Sequence, residues 1–262
     1  MRPRLTTLAP LVLVTALAAC AVPTPPASRA PARVDGRTIA GAPDRSDADR
    51  ALDAGRRPAE LLDFLQLAPG MRVAELAAGG GYTTEMLARA VGPTGRVWGQ
   101  NDRFILDRFA EAPWSARLAA PAMRNVVRVD REFEDPLPAG ARDLDLVLVV
   151  LFYHDFHWFG TDRGRMNRAV FEHLRPGGRY VVVDHSARPG DGATVVQTLH
   201  RIEEHLVRDE IEAAGFTLER TADFLRNPAD DRDWNASPRA AGAQRGTSDR
   251  FVLSFVKPTA TP

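Results

Sequence analysis

Two apolar runs of the sequence end in titratable side chains. The run Leu144 to Leu151 is followed by Phe152 to Trp158, which contains His154, and a shorter run ends in Asp184 and His185. Histidine titrates near neutral pH, so it can act as a general base, and a neighbouring carboxylate can orient it. We therefore predict His185 as a base with Asp184 as its orienting partner, and His154 as a second candidate.

The remaining histidines are weaker candidates. His200 falls in a predicted long helix, Thr194 to Ala214, on a stripe other than the one facing the sheet, so we expect it partly buried beside a substrate opening. His173 and His205 are expected at the surface. Histidine and carboxylate also suit zinc or iron, but no compact ligand spacing such as His-Glu-x-x-His occurs, so we predict no metal site. The candidate ligands for such a metal would be His154, His157, Asp184, His185 and His200.

Elements that alternate between helix and strand must position these residues. From about Asp44 the apolar periodicity alternates in this way, which is typical of a parallel sheet covered by helices. The run from Leu144 is apolar almost throughout, as a strand buried on both faces should be. In such sheets ligands bind outside the carboxyl ends of the strands. The predicted strands are 72–77, 96–100, 125–129, 144–151, 180–183, 216–219 and 251–256.

A glycine-rich corner, Gly79-Gly-Gly81, joins the first predicted strand to a helix from Tyr82 to Val91. Glycine permits a sharp turn and lets a ligand approach the backbone closely. Glu75 stands at the end of the strand, where its charge favours a cationic ligand group over a phosphate.

Two further segments each have two interpretations. The polar stretch Asn227 to Arg250 is either a lid or binding loop, or a disordered insertion. A group of aromatic residues follows the fourth strand and either walls an aromatic or lipid-like substrate or packs under that loop. Its members are Phe152, Tyr153, Phe156, Trp158 and Phe159.

The spacing Glu75-x-Ala77-x-Gly79-x-Gly81 resembles class I S-adenosylmethionine-dependent methyltransferases, and more narrowly a bacterial group of predicted methyltransferases. The narrower resemblance covers roughly residues 50 to 257. It implies an α/β, three-layer Rossmann-like fold with a mostly parallel seven-stranded sheet and an antiparallel last strand, and methyl transfer from S-adenosyl-L-methionine to a small acceptor. The motifs that carry it are Arg56 to Glu60, Ala78 to Tyr82, Asp184 to Ala187, Leu199 to Ile202 and Asn227 to Asp231.

The resemblance also implies roles for single residues. Glu75, Gly79 and Gly81 would line the methionine part of the cofactor, and Asp130 would lie near the adenine. Where the family has glycine this chain has Ala77. Where the family usually has an acid that binds the ribose, it has Gln100, then Asn101 and Asp102. A neutral amide typically makes a weaker hydrogen bond to a diol than a carboxylate does, so we expect weaker cofactor binding, or a substitute role for Asp102.

The amino-terminal segment is typical of an exported lipoprotein. Two arginines precede an apolar stretch too short to span a bilayer, and Leu17-Ala-Ala-Cys20 resembles a lipobox. We predict a signal peptide over 1–19, a lipidated Cys20 with a Pro-rich linker over 20–43, and a methyltransferase-like domain over 44–262. A signal peptide cleaved elsewhere, with an incidental Cys20, is the alternative.

The amino-acid composition limits the kinds of molecule that this protein is expected to bind. The 34 basic residues balance the 34 acidic ones, so no overall field favours nucleic acid, and a single cysteine excludes disulfides within the chain. We expect a small-molecule substrate and membrane contact only through the lipid anchor, in the periplasm-facing envelope. Because the cofactor is made in the cytoplasm, a non-catalytic envelope binding protein with this fold is the alternative. A nicotinamide-dependent oxidoreductase is disfavoured by the glycine pattern and the missing ribose acid.

Overall fold

A computed structural model of the protein describes residues 32–259, whose centre is a seven-stranded sheet. The strands are β1 (Arg72–Leu76), β2 (Arg96–Asn101), β3 (Val126–Asp130), β4 (Leu144–Val150), β5 (Leu174–His185), β6 (Thr217–Ala222) and β7 (Arg250–Val256). Their order is β3-β2-β1-β4-β5-β7-β6, and β7 runs antiparallel to both of its neighbours while the other pairs run parallel. The predicted sheet, with its antiparallel last strand, is confirmed.

Helices connect the strands and cover the sheet. Helix α4 packs on β1 and β2, α8 on β5, and α10 on β6 and β7. A short π-helical stretch, Leu106–Ala110, lies between α5 and α6. The helices are α1 (Gly36–Ala40), α2 (Asp47–Arg56), α3 (Pro58–Leu65), α4 (Tyr82–Val91), α5 (Arg103–Ile105), α6 (Glu111–Leu118), α7 (Tyr153–Trp158), α8 (Arg163–His173), α9 (Val196–Leu199) and α10 (Glu204–Glu212).

The middle of the sheet forms the core. The consecutive residues Leu146 to Val149 of β4 are all fully buried, as are Val181 and Val182 of the adjacent β5. The prediction that β4 is buried on both faces is confirmed. Because β1, β4 and β5 are parallel neighbours, their carboxyl ends meet at one edge, where the predicted chemistry lies.

The predicted continuous helix from Thr194 to Ala214 is wrong. Helix α9 ends at His200, which adopts a left-handed conformation with φ 50°. The chain then runs extended alongside the end of β5, where Ile202 donates to the carbonyl of His185 and accepts from the amide of Ala187. Backbone pairing with β5 thus replaces one turn of helix, which periodicity could not reveal.

The segment Arg175-Pro-Gly-Gly178, whose sequence is typical of a turn, lies within a strand in the structure. Strand β5 already begins at Leu174, and its register against β4 shifts between Leu144 and Leu146. Gly177 has φ 72° and its amide donates to the carbonyl of Lys257 at 2.8 Å. The glycine residues therefore form an irregularity within a strand.

The folded body begins earlier than the predicted boundary at residue 44. Helix α1 lies in the stretch predicted as an unfolded linker, and the amide of Gly36 donates to Asp63 of α3 at 2.8 Å. A Cβ at Gly36 would lie only 2.2 Å from the carbonyl oxygen of Ala59, so glycine permits this close packing. The predicted leader and Cys20 lie outside the described residues. Within residues 32–259, none of the helices has the length and apolar character needed to cross a membrane.

Candidate active site

A cavity of about 440 Å³ lies at the carboxyl ends of β1, β4 and β5. Its lining includes Glu75 from β1, Gly79 from the corner after β1, His154 from α7, His185 from β5, and His200 from the break after α9. Residues predicted from four separate motifs thus meet in one space. The volume is in the range of small-molecule sites.

Gln100 and Asn101, at the end of β2, bind the glycine corner rather than the open space. The Gln100 carboxamide accepts from the amide of Ala77 at 3.1 Å and donates to the carbonyl of Arg131 at 2.6 Å. Asn101 accepts from the amide of Gly79 at 2.8 Å and donates to its carbonyl at 3.1 Å. Both side chains are fully buried and hold the corner in shape, so the predicted ribose contact would require them to exchange partners.

The glycines of the corner have different physical roles. A Cβ at Gly79, which has φ 55°, would meet nothing within 4 Å, whereas a Cβ at Gly81 would lie 2.5 Å from the ring of Trp114. Gly81 therefore admits the fully buried Trp114 of α6, and Gly79 borders free space. Ala77 adopts φ 53°, a conformation that strains a residue with a Cβ.

Glu75 lies buried beside the cavity, 3% exposed. Its carboxylate accepts a hydrogen bond from the hydroxyl of Thr84. Burial raises the pKa of Glu75 to about 7, because the contacts with threonine hydroxyls do not offset the loss of water. A cation placed beside it would restore full ionisation.

Arg56, at the end of α2, supplies the complementary charge. Its guanidinium lies 4.4 Å from the centre of the Tyr82 ring, and it lines the cavity. Within the described part of the chain no carboxylate or carbonyl accepts a hydrogen bond from it. Burial lowers the pKa of Arg56, yet a guanidinium stays charged in proteins. Arg56 is therefore a cation able to bind a ligand carboxylate.

Ion pairs fasten α2 over the glycine corner. Arg117 of α6 makes a two-fold contact with Asp49 of α2, at 2.7 and 2.8 Å, and donates to the carbonyl of Gly80 at 2.6 Å. Arg45 makes a similar pair with Asp53, both bonds at 2.7 Å. These planar contacts keep Arg56 close to Glu75.

The buried carboxylate of Asp184 orients His154, whereas we predicted that it orients His185. The Nδ1 of His154 donates to Asp184 at 2.8 Å, and the backbone amide of His154 donates to the other carboxylate oxygen at 2.8 Å. His185 reaches Asp184 only through its backbone amide, at 2.7 Å, while its ring Nδ1 bonds to the hydroxyl of Ser248 at 2.7 Å.

His154, Asp155 and His200 form a close cluster. The Nε2 of His154 lies 3.2 Å from the Nδ1 of His200 and 3.5 Å from the Oδ1 of Asp155. The Nδ1 of His200 and the Oδ1 of Asp155 are 3.6 Å apart. The break after α9 brings His200 to this place, so a prediction based on a regular helix could not have found the pairing.

The pKa values of the four titratable groups of this region are shifted in different directions. Burial raises the pKa of Asp155 to about 6 and lowers that of His200 to about 4. Burial also lowers the pKa of His185 well below its usual value. Burial acts in the same direction on His154, but the adjacent Asp184 outweighs it and the pKa of His154 is raised. His185 and His200 are thus neutral at pH 7.

The aromatic group after β4 divides into two parts. Phe152 lines the cavity, whereas Tyr153 and Phe156 are fully buried, with Phe156 4.8 Å from the ring of Phe133. Trp158 packs edge-on against His200 at 4.9 Å. Neither predicted arrangement describes the whole group, because most of these rings pack on one another and on Phe133.

The stretch from Asn227 to Arg250 is placed in the structure and reaches the cavity through Ser237 and Pro238. It is held by the fully buried Arg201, which pairs with Asp230 at 2.8 Å. The interpretation as a binding loop fits this position, and that of a disordered insertion does not.

Two predicted cofactor residues lie elsewhere. Asp130 is exposed and pairs with Arg128 at 2.9 Å, outside the cavity lining. Asp102 caps α5 by accepting from the amide of Ile105 at 2.8 Å. An adenine contact by Asp130 stays a prediction, and the carboxylate of Asp102 already has a structural role.

Sequence reasoning missed Arg56, Asp155 and the covering helix α2. Arg56 lies in one of the motifs that carry the family resemblance, but the resemblance implies no role for it, and Asp155 directly follows His154. The two arginines before Pro58 were the available signal, but only the packing of α2 shows where Arg56 lies.

Comparison with known proteins agrees with this architecture. Residues 43–112 match the family model of protein-L-isoaspartate(D-aspartate) O-methyltransferase (PCMT). A SAM dependent methyltransferase from Aquifex aeolicus is 15% identical, covers 86% of this chain and is itself covered completely, with a TM-score of 0.55. The fold is that of class I S-adenosylmethionine-dependent methyltransferases.

Other structures with the methyltransferase fold are equally distant in sequence. A provisionally named methyltransferase from Bacillus halodurans C-125 is 18% identical, with 77% of this chain and 98% of that chain covered and a TM-score of 0.53. A provisionally named sarcosine dimethylglycine methyltransferase from Galdieria sulphuraria is 17% identical, with 87% and 93% covered and a TM-score of 0.55. The PCMT match spans α2 to the start of α6, so it concerns the corner and not the histidine cluster.

Proposed function

We propose that this protein binds S-adenosyl-L-methionine in the cavity beside the glycine corner and transfers its methyl group to a small molecule. The observation that carries the proposal is the placement of two charged groups around a free space bordered by Gly79. One is the buried carboxylate of Glu75, and the other is the guanidinium of Arg56, which has no carboxylate or carbonyl partner within residues 32–259. An amino-acid moiety carries the matching ammonium and carboxylate. When bound, the cofactor supplies an activated methyl group on a sulfonium.

The protein's own residues bind and orient the ligand. Glu75 takes the ammonium directly or through water, and Arg56 takes the carboxylate. The open space beside Gly79 admits the ligand close to the backbone. Methyl transfer is an in-line displacement, so holding two reactants in line supplies much of the acceleration.

The acceptor enters from the side of the histidines. A second cavity of about 250 Å³ adjoins the first at His185. Its lining contains Arg56, Arg245 and Arg250 and no carboxylate, so it suits an acceptor with an anionic group. His185, neutral because burial lowers its pKa, is the group we assign to accept a proton from the acceptor.

We also propose that the body is anchored in the cell envelope through a lipid on Cys20. The support is the leader sequence alone: an apolar stretch after two arginines, then Leu17-Ala-Ala-Cys20. Replacement Cys20→Ser should release the protein from the membrane fraction of expressing cells. Continued membrane attachment of this variant would contradict the lipid anchor.

Calorimetric titration of the full-length protein in detergent with S-adenosylmethionine, and with its demethylated product, tests the proposal. We expect micromolar binding that Gly79→Asn weakens at least tenfold, because the new side chain occupies the ligand space. Gly242→Asn is the matched control: Gly242 has φ 51°, close to the φ 55° of Gly79, and also has open space around it. No binding at millimolar ligand, or equal losses in both variants, would reject the proposal.

A non-catalytic binding protein is the second candidate, favoured by one observation. Gln100 and Asn101 occupy the place of the usual ribose acid and are committed to the backbone of Ala77 and Gly79. A protein that no longer needs the ribose contact could keep this arrangement. Binding of adenosine or another nucleoside with no affinity for S-adenosylmethionine would favour this candidate.

A further inference from the structure

Three side chains in the cavity place metal-binding atoms around a common point. The Nε2 of His154, the Oδ1 of Asp155 and the Nδ1 of His200 are separated by 3.2, 3.5 and 3.6 Å. They lie in two different segments of the chain, which explains why no compact ligand motif is present in the sequence. We propose that His154, Asp155 and His200 form a zinc site.

The separations of these atoms favour zinc over magnesium. Tetrahedral zinc, with bonds of about 2.0–2.1 Å, holds two ligands about 3.3–3.4 Å apart, which is close to the observed values. Octahedral magnesium, with bonds of about the same length, holds adjacent ligands about 2.9 Å apart. Two imidazole nitrogens also suit zinc and are poor magnesium ligands.

The surroundings of His154 are those of a metal ligand. A ligating histidine usually donates its other ring nitrogen to a carboxylate, which fixes the tautomer and raises the basicity of the ligand. Asp184, fully buried, accepts from the Nδ1 of His154 at 2.8 Å. The Nε2 of His154 is thereby left to face Asp155 and His200.

Two features of Asp155 and His200 are consistent with a metal site. His200 adopts φ 50°, a left-handed conformation that costs energy for a residue other than glycine and is often retained at functional sites. Asp155 is 16% exposed and, within the described residues, has no hydrogen-bond donor closer than the histidine nitrogen at 3.5 Å. A carboxylate largely removed from water needs a cation, and zinc would supply it.

The zinc would also hold the methyl acceptor. Since all three ligands line the cavity, the fourth position of a tetrahedral ion is open to it. This role rests on the proposed function. A hydroxyl or thiol bound at zinc would give its proton to His185, whose ring centre lies 5.8 Å from that of His154, and would then attack the methyl carbon. The new bond to carbon forms as the carbon–sulfur bond breaks, and the sulfonium becomes a neutral thioether.

Zinc binding is tested on the full-length protein in detergent after removal of metals by a chelator. Calorimetric titration with zinc chloride should give one site per chain with submicromolar affinity. His200→Ala and Asp155→Asn should each weaken it at least 100-fold. His205→Ala is the matched control, because His205 is 74% exposed and lies outside the cluster, and it should leave the affinity unchanged.

A second measurement does not depend on the variants. Cobalt(II) added to the metal-free wild-type protein should give the intense visible absorption of a four-coordinate site, and zinc should displace it. No zinc binding by the wild-type protein, or equal affinity in the wild type and His200→Ala, would overturn the proposal. Binding of the demethylated cofactor product without zinc binding would reject the metal site alone. Zinc binding without the product would reject the proposed function alone.

Discussion

Asp184 binds His154 twice, accepting from its backbone amide and from its imidazole Nδ1, each at 2.8 Å. The same buried carboxylate accepts from the amide of His185 at 2.7 Å. Asp184→Asn would replace one acceptor oxygen with an NH₂ group, which would face the N–H donors of His154 and His185 and could not accept from them. We therefore expect a loss of about 2–4 kcal/mol in the free energy of unfolding, measured by urea denaturation.

The control for this variant is Asp223→Asn. The Asp223 side chain is 89% exposed, so its replacement should change the free energy of unfolding by less than about 0.5 kcal/mol. Equal stability of Asp184→Asn and this control would show that the buried carboxylate is not required to hold the two histidine-bearing segments together.

The buried Glu75 should make the free energy of unfolding fall as the pH rises. Its pKa is raised to about 7 in the folded protein from an ordinary value of 4.5, because burial disfavours the charged form. The protonated side chain is therefore tolerated below pH 4.5, and the free energy of unfolding decreases as the pH rises from 4.5 through 7, by roughly 3 kcal/mol.

Glu75→Gln removes this dependence. The variant should become more stable relative to the wild type between pH 4.5 and pH 8, as measured by urea denaturation in the absence of ligands. The quantity to follow is the difference between the two proteins, because their other titrating groups are shared. A difference that stays constant across this range would be inconsistent with a raised pKa of Glu75.

Ala77→Gly should stabilise the protein by about 1 kcal/mol. Ala77 has φ 53°, which glycine adopts without strain. Ala78→Gly is the neighbouring control: Ala78 lacks a positive φ, and the change should cost about 0.5–1 kcal/mol. Thermal unfolding of both variants measures the contrast, and a loss in both would mean that Ala77 is not strained.

Arg56→Gln should remove the preference for S-adenosylmethionine over its decarboxylated analogue. The wild-type protein should bind S-adenosylmethionine at least tenfold more tightly than its decarboxylated analogue, because only the former offers a carboxylate to Arg56. The variant should bind both with similar, weaker affinity. Arg37→Gln, at an exposed position on α1, is the control. Undiminished discrimination in Arg56→Gln, measured by calorimetry, would place the carboxylate elsewhere.

Gly81→Ala should destabilise the protein by about 2–3 kcal/mol even in the absence of ligand. The added Cβ would lie 2.5 Å from the fully buried ring of Trp114, and Gly81 has φ 81°. Chemical denaturation measures the loss. An unchanged unfolding free energy with weakened cofactor binding would instead show that Gly81 serves the ligand.

The sequence by itself was sufficient to predict the seven-stranded sheet and the glycine corner. The unbroken apolar run of β4, the glycines before α4 and the approximate positions of all seven strands follow from local periodicity and turn chemistry. His154, His185 and Glu75 were found because they stand at strand ends, where parallel sheets bind ligands. These features depend on neighbours in the sequence, which is why they could be predicted.

The tertiary structure decided which side chains meet. Asp184 orients His154 rather than the adjacent His185, because successive residues of β5 point to opposite faces. His200 reaches His154 only because Ile202 pairs with β5 and ends α9 early. Arg56 faces the cavity only because ion pairs hold α2 over the corner. Contacts between segments distant in the chain set these positions, and local sequence patterns carry no record of them.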